Sequence, residues 1–287
     1  VSDTGSIETA GDFAFGISNR GNKNQTTVYG SIKTTWYVAG GVVNILDENA
    51  TTVSGSITTE GEFAYGIWNN GNTNTTTVSG SIVTTGYYSF GIENQGFNNT
   101  IGVDNTTNIS GSIHTAEDYA YGIYNIGDRS ETTVSGSITT SGDTAYGIYN
   151  VGSDNETTVS GSITTGDVVA STGEDAHGIY NKGNENTTTV SDTGSIETAG
   201  KGAWGIVNVG VDNITTVSGS IKTGDVVAGT GDGAFGIANI GSENITTVSG
   251  SITTTGDEAY GIVNEGNGNE TTISDTGSIE TAGDEAY

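Results

Sequence analysis

Residues 134–158 read VSGSITTSGDTAYGIYNVGSDNETT, and residues 53–77 read VSGSITTEGEFAYGIWNNGNTNTTT. Working outward from these two stretches, the phrase Val-Ser-Gly-Ser-Ile and its variants open units at Val1, Val28, Val53, Val78, Ile109, Val134, Val159, Val190, Val217, Val248 and Ile273. That makes ten complete units and a partial eleventh, and the units at Val53, Ile109, Val134 and Val248 have the bare length of 25 residues. A unit this short cannot bury an apolar face alone, whereas stacked copies bury each other's, so a fixed period of this size means a solenoid. Each unit alternates apolar and polar residues with a period of two, is rich in Val, Ile and Thr, and nowhere shows helical spacing. The sequence therefore predicts an all-β protein, a right-handed parallel β-helix (β-solenoid), forming one domain over residues 1–287. At roughly 4.8 Å per coil the rod is on the order of 50 Å long.

Within the unit, Val53, Gly55 and Ile57 are expected on one inward strand face, and Tyr65, Ile67 and Asn69 on another. The residue between, such as Trp68, Glu93, Tyr149 or Ala238, is expected to face water. The N-x-T-T stretch that leads into the next unit is read as a third strand, with Gly71, Gly152 and Gly266 at the corners and the remaining Thr and acidic positions in solvent. Ladders of Ile, from Ile7 to Ile279 and from Ile17 to Ile262 with Val42 substituting once, supply the core. A column of asparagines runs beside them: Asn19, Asn44, Asn69, Asn94, Asn125, Asn150, Asn181, Asn208, Asn239 and Asn264. Amides stacked at strand spacing hydrogen-bond along the column, which gives these residues a structural reading.

Composition narrows the function. The chain carries 34 Asp and Glu against 7 Lys and Arg, a formal net charge of -27, with no Cys, Met or Pro. A nucleic-acid groove needs clustered cations that displace counterions, so nucleic acid is not the expected partner. Lack of Cys removes disulfides and thiolate metal sites and suits an exported protein. No apolar run approaches a membrane span, so this segment is not expected to insert into a membrane. The chain opens without Met and stops inside its eleventh unit, and is read as a portion of something longer.

The phrases SGSITTSGDTAYGIYN (135–150) and SGSITTTGDEAYGIVN (249–264) resemble the passenger-region repeats of autotransporter-type adhesins and related giant surface β-helix proteins. The resemblance covers all 287 residues. It implies export and display at a microbial cell surface.

Catalysis requires a unique cluster, and a repeat can hold one only where it departs from its own rule. His114 lies after Ile113, and His177 replaces the recurring aromatic, but neither has a Ser–Asp or metal-ligand context. A polysaccharide-cleaving β-helix needs paired carboxylates with a cation, and the chain has only Arg20 and Arg129 as arginines. The chain is therefore read as no enzyme, with a carbohydrate-active β-helix as a remote alternative. No cofactor is expected. Weak calcium binding at acidic turns is the one metal reading, although the G-G-x-G-x-D pattern is absent. Six-residue insertions, Thr165–Ala170, Thr223–Ala228 and a third around Phe97 to Val103, are the candidate recognition loops. The Asp-Thr additions in the units at Val1, Val190 and Ile273 are read as bulges.

Asn-x-Thr recurs at one corner as Asn24, Asn49, Asn74, Asn105, Asn155, Asn186, Asn213, Asn244 and Asn269, and Asn98 and Asn108 add two further triplets. Two readings stand: turn asparagines followed by strand threonines, or N-glycan acceptors forming a stripe of sugar along an exported rod. The functional expectation is an extracellular stalk or filament that stacks head to tail or continues a longer chain. The alternative is a passenger-type adhesin that binds glycans of a host or neighbouring cell.

Overall fold

The computed structural model describes residues 1–96, 104–166, 174–224 and 233–287. The first coil sets the pattern with β1 (Ser6–Ala10), β2 (Phe15–Arg20) and β3 (Gln25–Val28), after which β4 (Ser31–Thr35) pairs in parallel with β1. Every third strand joins the same sheet, so the chain winds through three parallel sheets of 11, 10 and 10 strands among the described residues. The chain is a right-handed parallel β-solenoid of about ten coils. No helix occurs among the described residues, so none is long and apolar enough to cross a membrane.

Register puts like on like. Ile57 pairs with Ile82 and Ile82 with Ile113, while Val53 pairs with Val78 and Val78 with Ile109. One ladder per sheet meets at the axis: Val53 and its equivalents, Ile57 and its equivalents, and Ile67 and its equivalents, nearly all fully buried. Each coil contributes one residue to each ladder, so every apolar side chain is covered by the matching residue above and below.

Four expectations are corrected. Val-Ser-Gly-Ser-Ile is not one strand: the third-sheet strand ends at Val53 and the first-sheet strand begins at Ser56, with Ser54 and Gly55 turning the corner. A side chain on Gly55 would strike the carbonyl oxygen of Gly30 in the coil before, so close backbone approach along the stack demands glycine.

The recurring aromatic does not share the core face of Ile67. A side chain on Gly66 would meet Cγ2 of Ile82, so Gly66 and Ile67 both face the interior. That break in alternation turns Tyr65 outward, where it stacks on Trp68 with ring centroids 5.4 Å apart.

Two threonine columns are buried instead of solvated: Thr59 and its equivalents on the first sheet, and Thr51 and its equivalents on the third. A β-branched side chain fills the narrow interior as Val would.

The Asp-Thr additions are tight turns, closed by Gly5 N–H to Ser2 O, Gly194 N–H to Ser191 O and Gly277 N–H to Ser274 O, each at 2.8 Å. Of the insertions, 97–103 and the Asp-Val-Val-Ala portions at 167–170 and 225–228 lie outside the described residues, as does Asn98.

Candidate functional site

Two asparagine ladders run the length of the rod. In the first, each Nδ2 donates to Oδ1 of the next coil's asparagine: Asn19 to Asn44, Asn44 to Asn69 and Asn69 to Asn94, each at 2.7 Å, and so on to Asn239 to Asn264 at 2.7 Å. The second hydrogen of the same Nδ2 goes to a threonine seven residues on in a bare coil, as from Asn69 to Thr76 Oγ1 at 3.0 Å. Both donors of each amide are thereby used inside a dry core, which is the condition for burying it.

The Asn-x-Thr column is the second ladder. Oδ1 of Asn49 accepts the backbone N–H of Asn24 at 2.9 Å, Oδ1 of Asn74 accepts that of Asn49 at 2.8 Å, and the pattern recurs along the rod. Where Ser130 replaces asparagine, its backbone N–H still donates to Asn155 Oδ1 at 2.9 Å. Asn49, Asn74, Asn105, Asn155, Asn186, Asn213 and Asn244 are all buried. Asn24 and Asn269 are half-buried, with Nδ2 donating to Gly21 O and Gly241 O.

A glycan is attached through Nδ2, and in these nine residues that atom lies in or against the packed corner. This geometry favours the turn reading of the column over the glycan reading. The threonine of each triplet in the column is an acceptor of the first ladder, buried in every coil but that of Thr271, as Thr51 is for Asn44 at 2.9 Å. The triplet recurs because both its ends are needed inside. Asn108 differs: it is half-exposed, paired in register with Thr77 and Thr133 on the outward side of its strand.

Aromatic rings form a further column outside the core. Phe90, Tyr121, Tyr146, His177, Trp204 and Phe235 follow one another at centroid spacings of 4.7 to 5.4 Å. Burial pushes the hydroxyls of Tyr65, Tyr121 and Tyr146 well above the usual phenol range. His177 is stacked between Tyr146 and Trp204, and its Nδ1 accepts the Trp204 backbone N–H at 3.1 Å. Desolvation lowers its pKa to about 3, so it serves as a neutral ring of the column. Two residues expected in water are buried instead: Ala238 is 1% exposed, and Glu93, flanked in register by Trp68 and Tyr124, is 7% exposed, where burial raises its carboxyl to about 7. His114 is exposed on the first sheet.

Apart from Glu93, the Asp, Glu, Lys and Arg side chains of the described residues stay out of the core. Ion pairs such as Arg129–Asp104 at 2.7 Å and Lys222–Glu197 at 2.8 Å join neighbouring coils at exposed positions, where each contributes little. Among the described residues no three His, Asp or Glu side chains converge as metal ligands. Shallow polar grooves of about 480 and 410 Å³ lie at the Val-Ser-Gly-Ser corner, one lined by Asp3, Ser6 and Tyr29, the other by Asp192, Ser195 and Ser218.

Sequence reasoning missed a stripe of exposed aromatics in the first five coils: Phe13, Trp36, Tyr37 and Tyr87, each between 42% and 64% exposed. The signal was available. The residue before the recurring alanine or serine, or the one preceding it, is aromatic in every coil up to Tyr119 and in none from Thr144 onward.

The fold and its ladders define the class of protein, a parallel β-solenoid repeat protein. No family model, no curated protein and no solved structure matches the chain.

Proposed function

We infer that this chain is a structural spacer of a microbial cell surface, an acidic rod whose length is set by its number of coils and whose corners are available for adhesion. The carrying observation is the like-on-like register, in which every coil presents the same edge to the next, so coils add without new geometry. Further coils, from the same chain or from another copy, extend the rod by the same rule. A net charge of -27 spread over the surface keeps such rods apart laterally and soluble.

The reading makes two demands. Antibody against the rod labels intact cells, and excision of residues 134–158, one complete unit, shortens the particle by about 4.8 Å in solution scattering while leaving it folded. Labelling only after permeabilisation would remove the surface assignment. Collapse on excision would remove the modular one.

A further inference from the structure

Between the first and second strand of every coil one residue is held in the left-handed region. From Thr144 onward this residue is Thr144, Asp175, Gly202, Gly233, Glu258 or Glu285, with φ between 53° and 69°. These small or polar residues satisfy the corner. In the first five coils the same position holds Phe13, Val38, Phe63, Tyr88 and Tyr119, at φ between 52° and 57°. A bulky side chain there costs conformational energy that the fold does not require.

Neither does the core require it, since Phe13 is 62% exposed and the adjacent Tyr37 and Tyr87 are 45% and 42% exposed. The rings touch in sequence along the rod: Phe13 to Tyr37, Tyr37 to Phe63, Phe63 to Tyr88 and Tyr88 to Tyr119, at centroid distances of 4.7 to 6.1 Å. Tyr87 stands across Tyr88 and Tyr119 at 86° and 74°.

Trp36 departs furthest from the rule. It has φ 92° where the coils on either side have Gly11 and Gly61, and it is 64% exposed. With Ala10, Gly11 and Asp12 it lines a cleft of about 370 Å³.

Carboxylates flank the stripe. Asp12 borders Trp36, and Glu62 and Asp118 lie close enough to Tyr87 that their charges oppose ionisation of its hydroxyl. The nearby cation Lys33 is engaged with Glu60 at 3.0 Å. Aromatic faces edged by unneutralised carboxylates suit a guanidinium, which stacks on a ring and forks to a carboxylate at once. A neutral sugar would stack on the rings and donate its hydroxyls to the carboxylates, but it would leave their charge unpaired, which a guanidinium does not. A nucleic acid would be repelled.

We propose that the aromatic stripe from Phe13 to Tyr119 is a docking surface for an extended arginine-rich segment of a partner protein. It deepens the adhesive part of the reading above, yet binding is measured on the purified chain, so failure of surface labelling leaves it intact.

The probe is an arginine–glycine repeat peptide, titrated calorimetrically into the full chain at about 0.15 M salt, where distant surface charges are screened. Fluorescence is read in a Trp68→Phe, Trp204→Phe background, in which Trp36 is the only tryptophan left of three. The expected result is saturable binding that quenches Trp36. In a variant with Phe13→Thr, Trp36→Gly, Tyr37→Ser and Tyr87→Ser, whose net charge is unchanged, affinity falls about tenfold or more. Thr144 at the same corner shows that the fold accepts such residues, and circular dichroism checks it.

Equal affinity of this variant and its parent would reduce the binding to generic attraction of a polyanion and overturn the proposal. So would absence of Trp36 quenching in the Trp68→Phe, Trp204→Phe chain, whose stripe is unaltered. Quenching by cello-oligosaccharides where the peptide gives none would assign the stripe to a glycan instead.

Discussion

Asn150 donates from Nδ2 to Oγ1 of Thr157 at 3.1 Å, a bond that crosses the interior of a single coil from the second sheet to the third. The other hydrogen of that nitrogen reaches Asn181 Oδ1 at 2.8 Å, while Asn150 Oδ1 accepts from Asn125 at 2.7 Å. Asn150→Ala therefore strands a donor on Asn125 and an acceptor on Asn181, at a cost of about 3 kcal/mol. Asn150→Asp costs more, because it adds a buried charge. Stability in a solenoid is local, so amide hydrogen exchange is the measurement, and protection should fall in the coils around residues 125–181 and not at the rod's far end. Unchanged protection there would mean that the ladder contributes nothing.

The two buried threonine columns respond oppositely to the same substitution. Thr59 Oγ1 is buried without a hydrogen-bond partner, so Thr59→Val keeps shape, removes an unsatisfied hydroxyl, and should be neutral or stabilising by about 1 kcal/mol. Thr157 is the acceptor for Asn150, so Thr157→Val should cost about 1 kcal/mol or more. Urea denaturation of the two variants beside the parent decides it, and a loss at Thr59 equal to that at Thr157 would be the wrong outcome.

The period, the parallel stacking and the Ile ladders were legible because each is repeated ten times over, and repetition averages out the ambiguity of any one short apolar run. What the pattern hid has physical causes. Glycine carries no side chain, so Gly66 facing inward beside Ile67 leaves no mark on a hydrophobicity pattern, and the aromatic before it was assigned to the wrong face. Threonine is chemically amphipathic, so a buried Thr59 reads from sequence like the outward, half-buried Thr58 of the same strand. Asn-x-Thr has the form of a glycan acceptor, and only the three-dimensional path of the coil shows that Thr51 faces Asn44 across the core.

Two buried titratable groups set opposing pH trends. The pKa of His177 is about 3 in the folded chain against 6.5 for a free imidazole, so the unfolded chain binds the extra proton between those values. Stability from this residue is present above pH 6.5 and is lost as pH falls toward 3, by a few kcal/mol in all. Glu93 runs the other way: its pKa is about 7 folded against 4.5 unfolded, so its contribution is complete below pH 4.5 and is lost as pH rises through 7. Melting curves across this range should show protection of the central coils declining on both sides. His177→Phe should flatten the acid limb and Glu93→Gln the alkaline limb. An acid limb that persists in His177→Phe would trace the loss to other groups.

Burial also decides where sugar can sit. In the column from Asn49 to Asn244 the amides are 0 to 1% exposed, and a glycan on any of them would have to be accommodated in a corner where the next coil's asparagine already lies. Asn108, followed by Ile109 and Ser110, is half-exposed on the outer side of its strand, so an attached glycan projects into solvent. Peptide mapping of native material should therefore find Asn74, Asn155 and Asn186 unmodified and, where the host attaches N-glycans, Asn108 occupied. A second measurement separates the steric argument from absence of the transferase. Expression in a glycosylating eukaryotic host, followed by selection of the folded fraction, should enrich molecules carrying sugar at Asn108 and deplete those carrying it at Asn155. Folded rods bearing a glycan on Asn155 would show that the corner opens far more readily than its hydrogen bonds to Ser130 and Asn186 imply.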